Sequence, residues 1–196
     1  MVQGILSGDG IHMSRPRFDS AEHRGRLVLG YMNDNVRATL QQLIDRFQVK
    51  SVIEIGSFLG LSACWFAERV DEVVCIDVFD RNMSPAMYRA MTVKASEDTM
   101  DSMYDVFKEN TKAYPNISSY KMRSLQAAKE FDFEADLIYL DGDHTYEGVK
   151  ADIDAWKPRA KKVLCGDDNT NQWPSVQQAA RELGANVDER IWWKAR

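Results

Sequence analysis

The stretch that decides the fold is Val52-Ile53-Glu54-Ile55-Gly56-Ser57-Phe58-Leu59-Gly60-Leu61-Ser62. An apolar run broken only by Glu54 predicts a buried strand over residues 51–55. Gly56 and Gly60 bracket the turn that follows, and the helical spacing of apolar residues after it predicts a helix over 60–70. Glycine permits backbone angles that a side chain forbids, so a ligand can approach the main chain there. A strand, a glycine turn and a helix start together predict a cradle of the kind that binds nucleotides.

Two carboxylates narrow the range of ligands that this cradle would accept. Glu54 lies in the strand, and Asp77 ends a second apolar strand, predicted over 72–77, at 21 residues after Gly56 (77 − 56). That separation is typical of a carboxylate that reaches ribose hydroxyls. The pattern E-x-G-x-x-x-G-x-S lacks the G-x-G-x-x-G of dinucleotide sites, and its carboxylate would repel a pyrophosphate but suits a cationic amino acid group. The alternative is an ordinary strand–turn–helix unit in which glycine serves only the turn.

Length and composition exclude several classes of protein. Of 196 residues, 44% are hydrophobic and 28% are charged, as is typical of one soluble globular domain. The net charge of −5 argues against non-specific nucleic-acid binding, and no apolar run approaches the roughly 20 residues of a membrane helix. Residues 1–12 lack a signal-peptide pattern, and the three cysteines have no metal-binding spacing. We expect a cytoplasmic protein that binds neither nucleic acid nor membrane, and the sequence leaves a homo-oligomer open.

Strands and helices alternate along the remaining chain. After the second strand we predict a helix over 97–113, a strand over 117–122, a short helix over 124–131, a strand over 136–141, a helix over 145–156, a strand over 162–166 and a helix over 174–183. The tail from residue 187 can supply only one or two edge strands. This alternation predicts an α/β fold, namely a Rossmann-like, doubly wound, mainly parallel sheet with helices on both faces and a reduced C-terminal antiparallel edge.

No linker or repeat divides the chain, so we expect one domain over residues 1–196. Its expected parts are an N-terminal arm at 1–20, N-terminal helices at 21–48 and a Rossmann-like core at 50–196. The helices are predicted because apolar residues recur at helical spacing after Ser20, which is placed to cap the first of them. Segment 79–95 leaves the carboxyl end of the second strand, a position that favours a lid or a pocket rim.

Acidic residues follow two of the predicted strands at the points where they end. Asp141 ends the strand at 136–141, and Asp167-Asp168-Asn169 follow the strand at 162–166. Parallel strands deliver their carboxyl ends to one edge of a sheet, so these carboxylates would crowd together and raise one another's pKa. A divalent cation with oxygen ligands, such as Mg²⁺ or Ca²⁺, would relieve the repulsion. A solvated acidic loop that caps the next helix is the alternative.

Two segments resemble a known family. Residues 136–152, DLIYLDGDHTYEGVKAD, followed by Gly166-Asp167-Asp168, resemble class I S-adenosylmethionine-dependent methyltransferases related to the macrocin and mycinamicin sugar O-methyltransferases and to cephalosporin-biosynthesis enzymes. The glycine turn resembles the cofactor loop of the same class, and the likeness covers about residues 50–170. The chain is also similar, more distantly, to catechol and caffeoyl-CoA O-methyltransferases, in which an Asp after strand four and an Asp-Asn pair after strand five hold a metal ion.

The resemblance implies O-methylation of a small-molecule hydroxyl or diol by S-adenosylmethionine, assisted by a divalent cation, most simply Mg²⁺. It implies Asp141, Asp167 and Asp168 as metal ligands, with Asn169 as the alternative in the catechol pattern. It also implies His144 as the general base, acting with Asp141; a locally hydrogen-bonded loop histidine is the alternative. The expected cofactor-binding residues are Glu54, Gly56, Ser57, Gly60, Ser62, Asp77, Ser124 and Asp141. Ser124 follows the third strand, where adenine would lie, although capping the short helix explains it equally well.

Other functions fit parts of the same pattern. A non-catalytic S-adenosylmethionine-binding module would share the glycine turn and its carboxylates. A nicotinamide-dependent oxidoreductase is disfavoured by Glu54 and by the missing third glycine. A nucleic-acid methyltransferase is disfavoured because the sequence has no Asn/Asp-Pro-Pro-Tyr/Phe motif. The short C-terminus departs from the sugar enzymes, so the class of acceptor does not transfer with the resemblance.

Overall fold

The structure, a computed structural model, describes residues 19–79 and 102–196. Its strands are β1 (Asp19–His23), β2 (Arg26–Gly30), β3 (Ser51–Ile55), β4 (Glu72–Asp77), β5 (Ile117–Lys121), β6 (Ala135–Leu140), β7 (Ala160–Gly166), β8 (Asn186–Asp188) and β9 (Ile191–Ala195). Its helices are α1 (Asp34–Phe47), α2 (Leu61–Ala67), α3 (Met103–Thr111), α4 (Ser124–Glu130), α5 (Tyr146–Trp156) and α6 (Pro174–Leu183), with a 3-10 turn at Lys157–Arg159. The predictions for residues 1–18, 80–95 and 97–101 lie outside the described residues.

Seven strands form one sheet in the order β5-β4-β3-β6-β7-β9-β8. The neighbours from β5 to β7 pair in parallel, and β9 pairs antiparallel with both β7 and β8. This arrangement confirms the predicted Rossmann-like, mainly parallel sheet with an antiparallel C-terminal edge. The edge is short, because β8 has only three residues. In the parallel part, each predicted strand overlaps an observed one, with ends displaced by two residues or fewer.

Both faces of the sheet are buried under helices. On one face Leu137 and Val163 pack with residues of α1, α2 and α3, and on the other face Ile53 and Ile138 pack with residues of α4, α5 and α6. A strand that is buried on both faces has a continuous apolar sequence instead of an alternating one. This double burial explains why the central strands stood out as apolar runs. None of the helices in the described ranges combines the length and the apolarity needed to cross a membrane.

The helix predicted at the start of 21–48 is wrong, because residues 19–30 form the β1–β2 hairpin. Ser20 therefore caps no helix. Arg24 and Gly25 adopt φ angles of 47° and 78°, which are typical of the two-residue turn that connects the strands of a β-hairpin. Within β2 the burial alternates, as Leu27 is 53% exposed while Val28 is fully buried. The apolar residues of β2 thus follow the period of two of a strand.

Helix α1 accounts for the second half of the predicted helical region. The side chain of Asn33 caps it by accepting a hydrogen bond from the Val36 N–H at 3.0 Å. Gln48 ends it in the left-handed conformation. The hairpin and α1 pack on the same face of the sheet as α2. Gly30 lies so close to α2 that an added Cβ would be 2.7 Å from the Cβ of Leu61.

The strand order reverses between β3 and β6, since the chain passes from β3 to β4 and β5 on one side and returns to β6 on the other. Main-chain pairing continues past the strand ends there. The Asp141 N–H donates to the Ile55 carbonyl at 2.8 Å, and the Asp167 N–H donates to the Leu140 carbonyl at 3.1 Å. In open α/β sheets ligands bind at such a reversal, on the carboxyl side of the strands.

Substitution of Gly56 tests this close passage of two strand ends. Gly56 has φ of 90°, and an added Cβ would lie 2.0 Å from the carbonyl oxygen of Asp141. Gly25 is a matched control, because its φ is 78° and no atom lies within 4 Å of an added Cβ. We expect Gly25→Ala to lower the free energy of unfolding by about 1 kcal/mol. Gly56→Ala should lower it by roughly 2 kcal/mol more. Denaturant unfolding measures both losses of stability. Equal losses would contradict the close approach of the Gly56 backbone to the Asp141 carbonyl.

Candidate active site

Two cavities open at the carboxyl ends of the central strands, and Gly56 lines both of them. The first cavity has a volume of about 400 Å³. The residues that line it include Ser57, Ser62, Asp141, His144, Asp168, Trp173 and Arg190. The second cavity has a volume of about 340 Å³. The residues that line it include Asp77, Val78, Met122, Ser124, Asp143 and Asp152. An elongated ligand lying across Gly56 would therefore occupy both cavities.

Asp77 fixes the conformation of the glycine turn. Its Oδ2 accepts a hydrogen bond from the Phe58 N–H at 2.8 Å, and its Oδ1 accepts one from the Phe79 N–H at 2.7 Å. Phe58 and Phe79 both have positive φ, at 47° and 48°, a conformation that is uncommon for bulky residues. The carboxylate thus holds the backbone on both sides of the cavity entrance. A carboxylate oxygen accepts more than one hydrogen bond, so Asp77 can still receive a ligand hydroxyl.

Glu54 is a fully buried carboxyl group in β3. Burial raises its pKa to about 7, and the nearby hydroxyls of Ser62 and Ser57 act in the opposite direction. Within the described part of the chain, Glu54 Oε1 and Ser57 Oγ have no hydrogen-bond partner although both are buried. Such orphaned polar atoms are rare in folded proteins and indicate a missing donor or acceptor.

The second cavity ends at a buried polar network. The Ser124 hydroxyl donates to Asp152 Oδ1 at 2.6 Å and accepts from the Trp156 indole N–H at 2.7 Å. Burial raises the pKa of Asp152 to about 6. The N-cap of α4 is Arg123 and not Ser124, so the capping alternative for Ser124 is wrong. The Ser124 hydroxyl donates its one proton to Asp152, so it can meet a ligand only as an acceptor.

Asp141, His144 and Asp168 form a compact group at the first cavity. One ligand atom from each, an imidazole nitrogen or a carboxylate oxygen, lies within 4.8 Å of the other two. His144 Nε2 is 2.5 Å from Asp168 Oδ2 and 3.9 Å from Asp141 Oδ1. The imidazole stacks on the indole of Trp173 with ring centroids 4.3 Å apart. The His144 ring is therefore held between a carboxylate and an aromatic plane, with its Nε2 directed at the acids.

Asp167 does not belong to this group. Its side chain is fully buried, and its Oδ1 accepts from Arg190 Nε and from the Asp168 N–H. Its Oδ2 accepts from the Tyr139 hydroxyl at 3.2 Å. Arg190 Nη2 also donates to Asp168 Oδ1, so one guanidinium bridges both acids. Both oxygens of Asp167 are engaged, Oδ1 by two donors and Oδ2 by one, and the side chain lines neither of the two cavities described above.

Electrostatics at the strand ends favour the addition of positive charge. Burial raises the pKa of Asp141 well above its usual range, and the charges of Asp167 and Asp168 raise it further. The quarter of the Asp141 side chain that faces solvent, 26%, moderates this effect. Burial also raises the pKa of Asp167, against the opposing charge of Arg190. One guanidinium compensates only one of three carboxylates.

The structure brings together most of the predicted cofactor-binding residues. Gly56, Ser57, Ser62 and Asp141 line the first cavity, and Asp77 and Ser124 line the second. Glu54 lines neither of these two cavities. Gly60 also lies away from them; its φ of 92° caps α2, and an added Cβ would lie 3.0 Å from the Thr111 methyl group. Asn169 contributes its N–H, which donates to the Arg190 carbonyl at 2.9 Å.

Several residues of the site were not predicted from the sequence. They include Tyr139, Asp152, Trp173 and Arg190. Asp152 ends the segment that carries the family resemblance, and Trp173 precedes the Pro174 that marks a helix start. The sequence pattern at both positions therefore indicated family or secondary structure, and not a role in the site. Tyr139 lies within a strand and faces the core. An aromatic side chain is common there and does not indicate a role in a binding site. Arg190 lies in a two-residue connection between edge strands and had no signal at all.

Comparisons with known proteins identify the family and the fold. Residues 53–168 match the family described as a methyltransferase domain. A candidate caffeoyl-CoA O-methyltransferase from Staphylococcus aureus has a similar structure, with a TM-score of 0.59, 18% identity and coverage of 84% of each chain. An O-methyltransferase from Bacillus cereus in complex with SAH has a TM-score of 0.55 and 19% identity, over 84% of this chain and 82% of that one. A search of curated proteins finds no match.

The fold and the position of the site define a class I methyltransferase domain, in which a mainly parallel sheet carries the glycine turn after its central strand. The family match spans more than half of the chain. The chain belongs to this methyltransferase domain family.

Titration of Glu54 yields a prediction about stability. The pKa of Glu54 is about 7 in the folded protein and 4.5 in its ordinary state, so the unfolded chain releases the proton first as pH rises. The difference in pKa lowers the free energy of unfolding by an amount that grows between pH 4.5 and 7. This loss reaches about 3 kcal/mol and stays there at higher pH. We expect the stability of Glu54→Gln relative to the unmodified protein to increase across this interval.

Denaturant unfolding at several pH values measures the effect. Glu72→Gln is the matched control, because Glu72 is an exposed residue at the start of β4. Its difference from the unmodified protein should not vary with pH. A constant difference for Glu54→Gln as well would show that Glu54 titrates normally.

Proposed function

We propose that this chain transfers a methyl group from S-adenosylmethionine to a hydroxyl of a small molecule, with assistance from a divalent cation. The observation that carries the proposal is the pair of cavities that meet at Gly56, one of them lined by Asp141, His144 and Asp168. The donor would lie across Gly56 and the acceptor would lie beside the three polar groups. S-adenosylmethionine supplies an electrophilic methyl group.

The residues around the glycine turn fit this donor. Its ammonium group would supply the hydrogen-bond donor that Ser57 Oγ, which lines the first cavity, lacks. Its ribose hydroxyls would reach Asp77, which already holds the turn through backbone N–H groups. Its adenine would lie in the second cavity near Met122 and the backbone of Ser124. The similar Bacillus cereus O-methyltransferase is a complex with SAH, the demethylated form of the same donor.

The polar group of the first cavity fits a divalent cation. Three carboxylates and one guanidinium leave a charge deficit that one divalent ion would balance, and the ligand atoms of Asp141 and Asp168 lie close enough to share an ion. The carboxylate oxygens of this group suit Mg²⁺ or Mn²⁺. Asp141 and Asp168 would hold the ion, and Asp167 and Asn169 would support the loop. The ion lowers the pKa of a coordinated hydroxyl.

We assign His144 the role of general base for the acceptor hydroxyl. Its imidazole stacks on the Trp173 ring, and its Nε2 contacts Asp168 Oδ2, which as an ionised carboxylate only accepts, so Nε2 carries the proton in this contact. His144 would act as the base from the tautomer whose Nε2 is unprotonated and turned from Asp168 to the acceptor, and the carboxylates of Asp141 and Asp168 would stabilise the imidazolium that forms. The same nitrogen cannot accept this proton while it ligates an ion, so the two roles exclude each other. The remaining contribution of the site is alignment of donor and acceptor.

Aromatic side chains line part of the first cavity. Tyr31, which is 41% exposed, lies beside Phe58 with ring centroids 5.7 Å apart, and both line this cavity together with Trp173. A cavity of about 400 Å³ with aromatic walls suits a compact acceptor that presents a ring face.

Binding of the donor is the first test. We expect S-adenosylmethionine and S-adenosylhomocysteine to bind in a calorimetric titration and to raise the free energy of unfolding by roughly 2–4 kcal/mol at saturation. NADH should not bind. Transfer of labelled methyl groups to catechol and to a sugar with adjacent hydroxyls, with Mg²⁺ or with a chelator, tests the reaction. Absence of donor binding would sink the proposal, and binding without transfer would favour a non-catalytic module.

Substitution of His144 separates its two candidate roles. As a general base, His144→Ala should lower the rate of transfer by a factor on the order of 10²–10⁴. Affinity for Mn²⁺ and for S-adenosylhomocysteine should stay within about threefold of the original. Loss of Mn²⁺ binding in this variant would instead make His144 a metal ligand. Unchanged transfer would exclude both roles.

A further inference from the structure

Arg190 connects the C-terminal edge of the sheet to the acidic loop through three contacts. Its Nε donates to Asp167 Oδ1, its Nη2 donates to Asp168 Oδ1, and its backbone carbonyl accepts from the Asn169 N–H at 2.9 Å. Arg190 lies in the connection between β8 and β9, and the hydrogen-bonded acids lie 23 and 22 residues before it. One residue therefore fixes both the backbone and the side chains of this loop.

The loop turns sharply at Asp168, whose φ of 61° lies in the left-handed region that aspartate tolerates better than most non-glycine residues. The guanidinium occupies Asp168 Oδ1, and the other oxygen, Oδ2, faces His144 at 2.5 Å. Arg190 thereby determines which oxygen of Asp168 is presented to the first cavity.

The same guanidinium removes carboxylate oxygens from the set that could hold an ion. Both oxygens of Asp167 are engaged, one of them by Arg190, and Asp168 retains one oxygen that Arg190 does not contact. The guanidinium of Arg190 is a permanent cation. A fixed positive charge beside the acids also repels a second cation.

We propose that Arg190 is a positioning residue that acts as a built-in counter-cation: it withholds one oxygen each of Asp167 and Asp168 from a divalent ion, and it keeps the acidic loop folded when no ion is bound. The ion would then be held weakly and exchangeably, through Asp141 and the remaining oxygen of Asp168. This inference deepens the proposed metal-assisted function and relies on it for the existence of an ion site. If Arg190 only supported the loop, its loss would weaken ion binding. The inference predicts instead that loss of Arg190 improves ion binding.

Substitution of Arg190 in the full chain, without the methyl donor, tests the inference by calorimetric titration with Mn²⁺ at fixed pH and ionic strength. We expect Arg190→Gln to bind Mn²⁺ at least tenfold more tightly than the unmodified protein, because it frees carboxylate oxygens and removes a positive charge. Arg190→Lys keeps the charge without the two-pronged geometry and should be intermediate. Arg181→Gln, on the exposed end of α6, is the control for net charge and should stay within about twofold.

Thermal unfolding supplies a second readout. Without Mn²⁺, Arg190→Gln should melt at a lower temperature than the unmodified protein, because buried Asp167 loses its partner. Saturating Mn²⁺ should restore the melting temperature, whereas Arg181→Gln should respond as the unmodified protein does. If Arg190→Gln does not fold, the comparison rests on Arg190→Lys.

The outcomes separate this inference from the proposed function. Tighter Mn²⁺ binding by the Arg190 variants supports the inference even if the unmodified protein binds no Mn²⁺, in which case the metal-assisted part of the proposed function fails. A folded variant that binds Mn²⁺ no more tightly than the unmodified protein overturns the inference. Neither result bears on donor binding, which is measured separately.

Discussion

The site depends on the close passage of the backbone at Gly56 past the carbonyl of Asp141, where the strand order of the sheet reverses. An added Cβ at Gly56 would lie 2.0 Å from that oxygen, so only glycine allows the two strand ends to meet. The Asp141 N–H donates to Ile55 and the Asp167 N–H donates to Leu140, which extends the parallel pairing beyond the strands. These bonds place the glycine turn and the acidic loops side by side. The cavities on either side of Gly56 follow from this backbone arrangement, before any side chain is considered.

The same arrangement creates an electrostatic cost that the remaining residues offset. Carboxylates at the ends of adjacent strands are driven together, and burial raises the pKa of Asp141 and Asp167. Arg190, delivered by the antiparallel edge, neutralises part of this charge, and His144 contacts the acid that faces the first cavity. The short C-terminal hairpin therefore completes the site as well as the sheet. A bound divalent cation would neutralise the negative charge that Arg190 leaves uncompensated.

The N-terminal hairpin shows where local pattern and tertiary packing disagree. Apolar residues between 21 and 48 have spacings that are compatible with a helix, and the Arg24-Gly25 turn that decides for a hairpin is a weak signal. Two short strands are only marginally stable in isolation, so the hairpin depends on its packing against α2. Val28 is fully buried in that interface, and Gly30 allows the close approach to Leu61. The aromatic wall of the first cavity begins at Tyr31, directly after this hairpin.

The sequence by itself determined the alternation of strands and helices, the glycine turn and the acids that follow the strands. Strands buried on both faces need continuous apolar runs, and parallel strands gather their carboxyl ends at one edge, so local pattern suffices for these features. Only the tertiary structure decided which polar atoms meet. Ser124 turns to Asp152 and Trp156, Gly60 serves a helix start, and Asp167 is engaged by Arg190 from 23 residues away. Side-chain direction and long-range pairing settle these contacts, and neither has a periodic signature in the sequence.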